Sequence, residues 1–122
     1  MKITLQTFGE METNIPALST CFDIVSLWSG NANRAQMGRI CAIAICVCAD
    51  SPKMPKTRHL TDIQAYGSRC LDFLLGANVT VDEILNNGVQ LIGKMAAALP
   101  SSKEVEETEN FTEQPPPEVS SE

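Results

Sequence analysis

The stretch Ile40-Cys41-Ala42-Ile43-Ala44-Ile45-Cys46-Val47-Cys48-Ala49 decides the fold: its ten successive residues are all apolar. It is about half the length a bilayer requires, so it reads as a core helix and not as a membrane span. A helix that is apolar on every side has to be surrounded by other helices or by copies of itself. The fold class that follows is mainly α, with about four helices in a compact bundle. A short N-terminal β-strand or hairpin precedes the helices, and a disordered acidic C-terminal tail follows them.

Working outward, Asn31 or Asn33 caps this second helix, which runs to about Asp50 before Pro52 and Pro55 end it. Upstream, Gly30 fits the left-handed C-terminal cap of a first helix that Pro16 and Ser19 open. Its apolar residues Leu18, Cys21, Phe22, Ile24, Val25 and Trp28 recur at three and four residues and predict one inward stripe. Residues 2–8 alternate as a short half-buried strand. Met11 to Ile15 could pair back on it after Gly9, but a single strand is the preferred reading.

Downstream, Thr61-x-x-Gln64 has the spacing of a capping box, so a third helix starts near Asp62. Ile63, Tyr66, Cys70, Phe73 and Leu74 form its inward face, and Gly76 closes it. Thr80-x-x-Glu83 is a second and better capping box, because a carboxylate also suits a helix N-terminus. The fourth helix turns Val81, Ile84, Leu85, Gly88, Leu91, Ile92, Met95 and Leu99 inward and stops at Pro100. Gly88 and Gly93 inside it cost about 1 kcal/mol each relative to alanine. They point to close helix approach or to a flexible helix.

The chain of 122 residues divides into a helical domain, 1–100, and a tail, 101–122. The tail has too little apolar surface to offset its ordering entropy. Residues 1–100 hold eight basic and eight acidic side chains, whereas the tail holds Lys103 against seven glutamates. The whole formal charge of −6 therefore lies in the tail. A neutral domain with an acidic tail lacks the excess of Lys and Arg that binding to phosphates needs, which counts against nucleic acid as the partner. The first residues lack the apolar stretch of a signal peptide, so a cytoplasmic protein with reduced cysteines is expected.

Those five cysteines do not form a metal site by spacing. Cys46 and Cys48 are about 200° apart around a helix, and Cys41 and Cys48 share a face but are separated by about 10 Å along the axis. Core packing is the expected role. Cys70 with His59, the only histidine, suggests a nucleophile pair, but a cysteine buried among Tyr66 and Phe73 should have a raised pKa and be inert. No Gly-rich phosphate loop or paired catalytic carboxylates are present, so no catalytic residue, metal or cofactor is assigned, and the chain reads as a non-enzyme. Two features suit a protein partner. Trp28, the only tryptophan, reads first as a core anchor and second as the centre of an interface. Lys53, Lys56 and Arg58, with His59, form the one concentrated basic patch. It reads as a solvated loop, as a dock for the chain's own acidic tail, or as a site for an acidic partner.

The layout also resembles that of small tail assembly chaperone-type proteins of tailed bacteriophages and prophages. The likeness rests on Phe-Asp-Ile-Val-Ser-Leu-Trp-Ser-Gly (22–30), on the helix from Asn33 to Cys48, on Ala65-Tyr66-Gly67, and on a closing helix before a polar acidic tail. It covers residues 1–100. The resemblance implies a helical, oligomerising protein of the host cytoplasm that binds the long hydrophobic tape measure protein during tail assembly. It carries over no site residues. Two other readings stand beside it: a small phage or bacterial inhibitor or adaptor of a host protein, and a regulator using helices three and four as a helix-turn-helix. The second needs a basic recognition helix, and helix four offers only Lys94 against Asp82 and Glu83.

Overall fold

In the computed structural model, residues 1–30, 33–51, 54 and 63–100 are described. The apolar run forms most of α2 (Arg34–Cys48), in which Ile40 to Cys46 and Cys48 are buried and Val47 packs against the core. Three helices enclose it. The helices α3 (Ile63–Gly76) and α4 (Val81–Ala98) pack directly on α2, whereas α1 (Leu18–Ser29) lies mainly on α4 and touches α2 less. One chain thus supplies all the cover that α2 needs.

Two of the contacts on α2 are made at glycines. A Cβ on Gly88 of α4 would sit 2.2 Å from Cys41 Cβ and 2.7 Å from Cys41 Cα. No side chain fits there, so Gly88 is what lets α4 lie against α2. On the other seam, a Cβ on Gly67 of α3 would come within 3.0 Å of Arg39 Cβ and 3.3 Å of Ile43 Cδ1. Gly93 does not share this role: it is exposed, and a Cβ there would meet nothing within 4 Å.

The helix ends show how local chemistry sets the boundaries. Asn33 caps α2, its side chain accepting from the Gln36 N–H at 2.9 Å. Thr80 and Glu83 form the expected capping box, with the Glu83 N–H donating to Thr80 Oγ1 at 3.1 Å and the Thr80 N–H to Glu83 Oε1 at 3.0 Å. The left-handed cap expected at Gly30 is absent, since its φ is −75° and the backbone is extended. Gly76 is not the left-handed residue that ends α3 either. That residue is Asn78, at φ 67°. The Val79 N–H reaches back to the Leu74 carbonyl and the Asn78 N–H to the Leu75 carbonyl, both at 3.0 Å, and Leu74 and Val79 are both buried. This is the Schellman arrangement, in which asparagine is the usual substitute for glycine.

The N-terminus is a hairpin and not a lone strand. β1 (Lys2–Leu5) pairs antiparallel with β2 (Gly9–Glu12), and Gly9, at φ +78°, turns the chain in the left-handed region that favours glycine. Ile3, Leu5 and Met11 face the core, whereas Lys2 lies outside, 3.6 Å from Glu10 and 3.7 Å from Glu12. The second strand begins two residues earlier than Met11 and stops before Ile15, which is exposed.

Both edges of this small sheet are engaged. Along β1, the Gln6 N–H donates to Glu83 Oε2 at 2.7 Å and Asn87 Nδ2 donates to the Thr4 carbonyl at 3.5 Å. Along β2, the Asp50 N–H donates to the Glu12 carbonyl and the Asn14 N–H to the Cys48 carbonyl, while Thr13 bridges Ala49. Unpaired strand edges invite pairing with other chains, and these contacts occupy them. The buried Thr13 hydroxyl donates to the Met1 carbonyl, and Phe8 beyond β1 stacks on Phe73 of α3 with ring centroids 6.0 Å apart. The basic connector from Lys53 to His59 apart from the buried Met54, the start of the third helix at Thr61 and Asp62, and the tail from Ser101 lie outside the described residues.

Candidate functional site

The outer face of α1 is where the structure departs furthest from a simple core-and-surface pattern. Cys21 and Ile24 are fully buried on α4 and α2, with Val25 and Trp28 partly buried beside them. Each residue advances about 100°, so Leu18 and Phe22 point roughly 110° away from the Cys21–Ile24 side. They do not join the inward stripe: Leu18 is 52% exposed and Phe22 62%. Ile15, just before the helix, is also exposed, at 41%. The reason is the position of α1 at the edge of the bundle, where among the described elements only one side of the helix has neighbours.

The surroundings of this stripe are almost without charge. Between Thr13 and Asn33, Asp23 is the only charged side chain, and the other exposed polar positions of α1 are Ser19, Ser26 and Ser29. A solvated helix face normally carries several charges. Depletion of charge around aromatic and aliphatic side chains is instead characteristic of the central part of a protein interface. No side chain of α1 caps its N-terminus, where Ala17 takes the N-cap position.

The sequence-predicted residues are placed differently. Trp28 is half-buried and packs against the core, in keeping with a core anchor. Lys53, Lys56 and Arg58 are outside the described residues. The residues missed as surface are Ile15, Leu18 and Phe22. The signal that could have found them is the uncharged run from Thr13 to Asn33.

Val81, expected to face inward on α4, is also exposed, at the first position of the helix.

All five cysteines are buried, and none is in a disulfide. Among the described residues no group of three or more His, Cys, Asp or Glu side chains could hold a metal. Burial pushes the Cys41 thiol up to about 11 and raises that of Cys21. Cys70 departs from the expected raised pKa. Its thiol is lowered, first by a hydrogen bond with Cys46, against the opposing effect of burial, and then by Tyr66 and the Arg69 charge. Burial first, and then the neighbouring Cys70, pushes the Tyr66 hydroxyl up, so it stays a proton donor. The Arg69 guanidinium stands 5.8 Å from the Tyr66 ring centroid.

Among the described residues no helix is long and apolar enough to cross a membrane. Comparison with protein-family models, with curated proteins and with solved structures yields no match.

Proposed function

We propose that this chain is a non-enzymatic protein-binding module that takes an amphipathic helix of its partner onto the outer face of α1. The observation that carries this is the Ile15–Leu18–Phe22 stripe, apolar and exposed within a run of sequence holding a single charge. Helix-in-groove recognition uses apolar anchors at three- and four-residue spacing, and Leu18 and Phe22 are four residues apart on one side of their helix. The acidic tail adds net charge that keeps a complex with an apolar partner in solution.

In its particular form the proposal is that the chain acts as a phage tail assembly chaperone, with the tape measure protein as the partner held soluble in the host cytoplasm. The layout resemblance over residues 1–100 supports it. The helix-turn-helix alternative has less in its favour: among the described residues α3 and α4 make little contact, and the α4 N-terminus is engaged by Gln6 of the hairpin. The test is co-expression with the tape measure protein of the same genome. The expected result is a soluble complex that Phe22→Glu and Leu18→Glu each weaken at least tenfold, as for a buried anchor, while Val89→Glu on α4 leaves it intact. If the two proteins co-express and never co-purify, the chaperone reading falls. If they co-purify equally well with Phe22→Glu and Leu18→Glu, the α1 site falls.

A further inference from the structure

We propose that Cys46 and Cys70 are a redox pair, in which a small peroxide oxidises Cys70 and Cys46 converts it to a disulfide joining α2 to α3. The two thiols come from helices that pack directly on one another, and both are fully buried. Gly67 sets the approach, because Ile43 of α2 lies against it at 3.3 Å from where a Cβ would stand. Cys46 is three residues beyond Ile43 and Cys70 three beyond Gly67, so each cysteine follows on the contacting side of its helix. Their sulfurs meet in a side-chain hydrogen bond. Tyr66, one turn back on α3, gives Cys70 a second hydrogen bond, and Arg69 lies beside them. These donors favour the Cys70 thiolate, which is the nucleophilic form.

The other thiols with assigned contacts are placed otherwise. Cys41 approaches the Leu85 carbonyl at 3.9 Å and Cys21 the Pro16 carbonyl at 3.5 Å. An acceptor oxygen holds the proton on sulfur and offers no second thiol.

The steps balance. The Cys70 thiolate attacks one oxygen of hydrogen peroxide, the O–O bond breaks, hydroxide leaves, and Cys70 becomes a sulfenic acid. Cys46 then attacks the Cys70 sulfur, and the sulfenic hydroxyl departs with the Cys46 proton as water. Overall two thiols are oxidised to one disulfide, and one peroxide, with the Cys70 and Cys46 protons, is reduced to two waters. Both sulfurs are buried, so the peroxide enters during local opening of the α2–α3 seam.

The test uses the folded full-length chain. It is exposed to dilute hydrogen peroxide, quenched with catalase, unfolded in guanidinium with a thiol-alkylating reagent, and weighed. The expected result is that two of the five cysteines become unreactive together and regain reactivity after dithiothreitol. Peptide mapping should join Cys46 to Cys70. Closing a loop of about 25 residues should also raise the melting temperature by on the order of 10 °C. In Cys46→Ser no disulfide forms and Cys70 is captured as a sulfenic acid by dimedone. Five reactive thiols after exposure, a disulfide between any other pair, or an undiminished crosslink in Cys46→Ser would each overturn the proposal. The measurement on the unmodified chain decides it even if the variant fails to fold.

Discussion

α1 and α2 are both rich in apolar residues and nearly consecutive in sequence, yet they end in opposite surroundings. In α2 the apolar side chains run round the whole helix and almost all are buried. In α1 a comparable set is divided, with Cys21 and Ile24 enclosed and Leu18 and Phe22 left outside. The contrast arises from position. Neighbours lie against several sides of α2, whereas α1 rests mainly on α4. Apolar character by itself drives a side chain out of water only where another element is available to receive it.

Substitutions can break or sharpen this contrast. The largest effect is expected in the middle of α2: Ile43→Ala should destabilise the fold by about 2–5 kcal/mol in urea unfolding, the range for removing a buried aliphatic side chain. Next comes the seam itself. Gly88→Ala forces a methyl into the space held by Cys41 and should cost about 1–3 kcal/mol, as overpacking does. Gly93→Ala, five residues further along the same helix and with open space around it, should instead stabilise by about 1 kcal/mol. Opposite signs from one type of change would separate the enclosed side of α4 from its open side. On α1, Phe22→Ser should move stability by only about 0.5 kcal/mol, the scale of surface changes, while abolishing partner capture. A loss comparable with that of Ile43→Ala would show that Phe22 belongs to the core.

A further small effect concerns acid. The Glu83 carboxyl is held below its ordinary value by hydrogen bonds from the Thr80 and Gln6 backbones. A carboxyl with a lowered folded-state pKa contributes stability above its unfolded value, and this is lost as pH falls through the folded value. The contribution should therefore disappear below about pH 4.5, the ordinary value for this group. In Glu83→Gln, thermal melts should show a shallower decline in that window and no change in slope above it.

Most of the helical layout was legible because it rests on local signals. The unbroken apolar run made α2 a core helix, and Thr80 with Glu83 marked the start of α4 to the residue. What was hidden depends on distant partners. β2 buries only Met11 among its four residues, and its outer edge pairs with residues 48–50 beyond two helices. Asn78 and Gly76 are both fit to end α3, and the choice of Asn78 goes with the burial of Leu74 and Val79 and the backbone hydrogen bond between them. The candidate site was missed for the same reason. The periodicity of α1 reveals a broad apolar sector, but the part of it that is covered depends on where α4 lies. Of the basic residues singled out, Lys53, Lys56 and Arg58 fall outside the described structure.

Glu83 has one more consequence, in the order in which the chain is made. Its carboxylate accepts the backbone N–H of Gln6, 77 positions earlier, and Asn87 Nδ2 donates to the Thr4 carbonyl of β1. Among the described elements, β1, which is made first, is thus fastened by α4, which is made last. Until α4 has emerged, the edge of β1 lacks these two contacts and α2 has one long side bare. The domain therefore closes late and as a unit, and a chain stopped before Thr80 would present both surfaces at once.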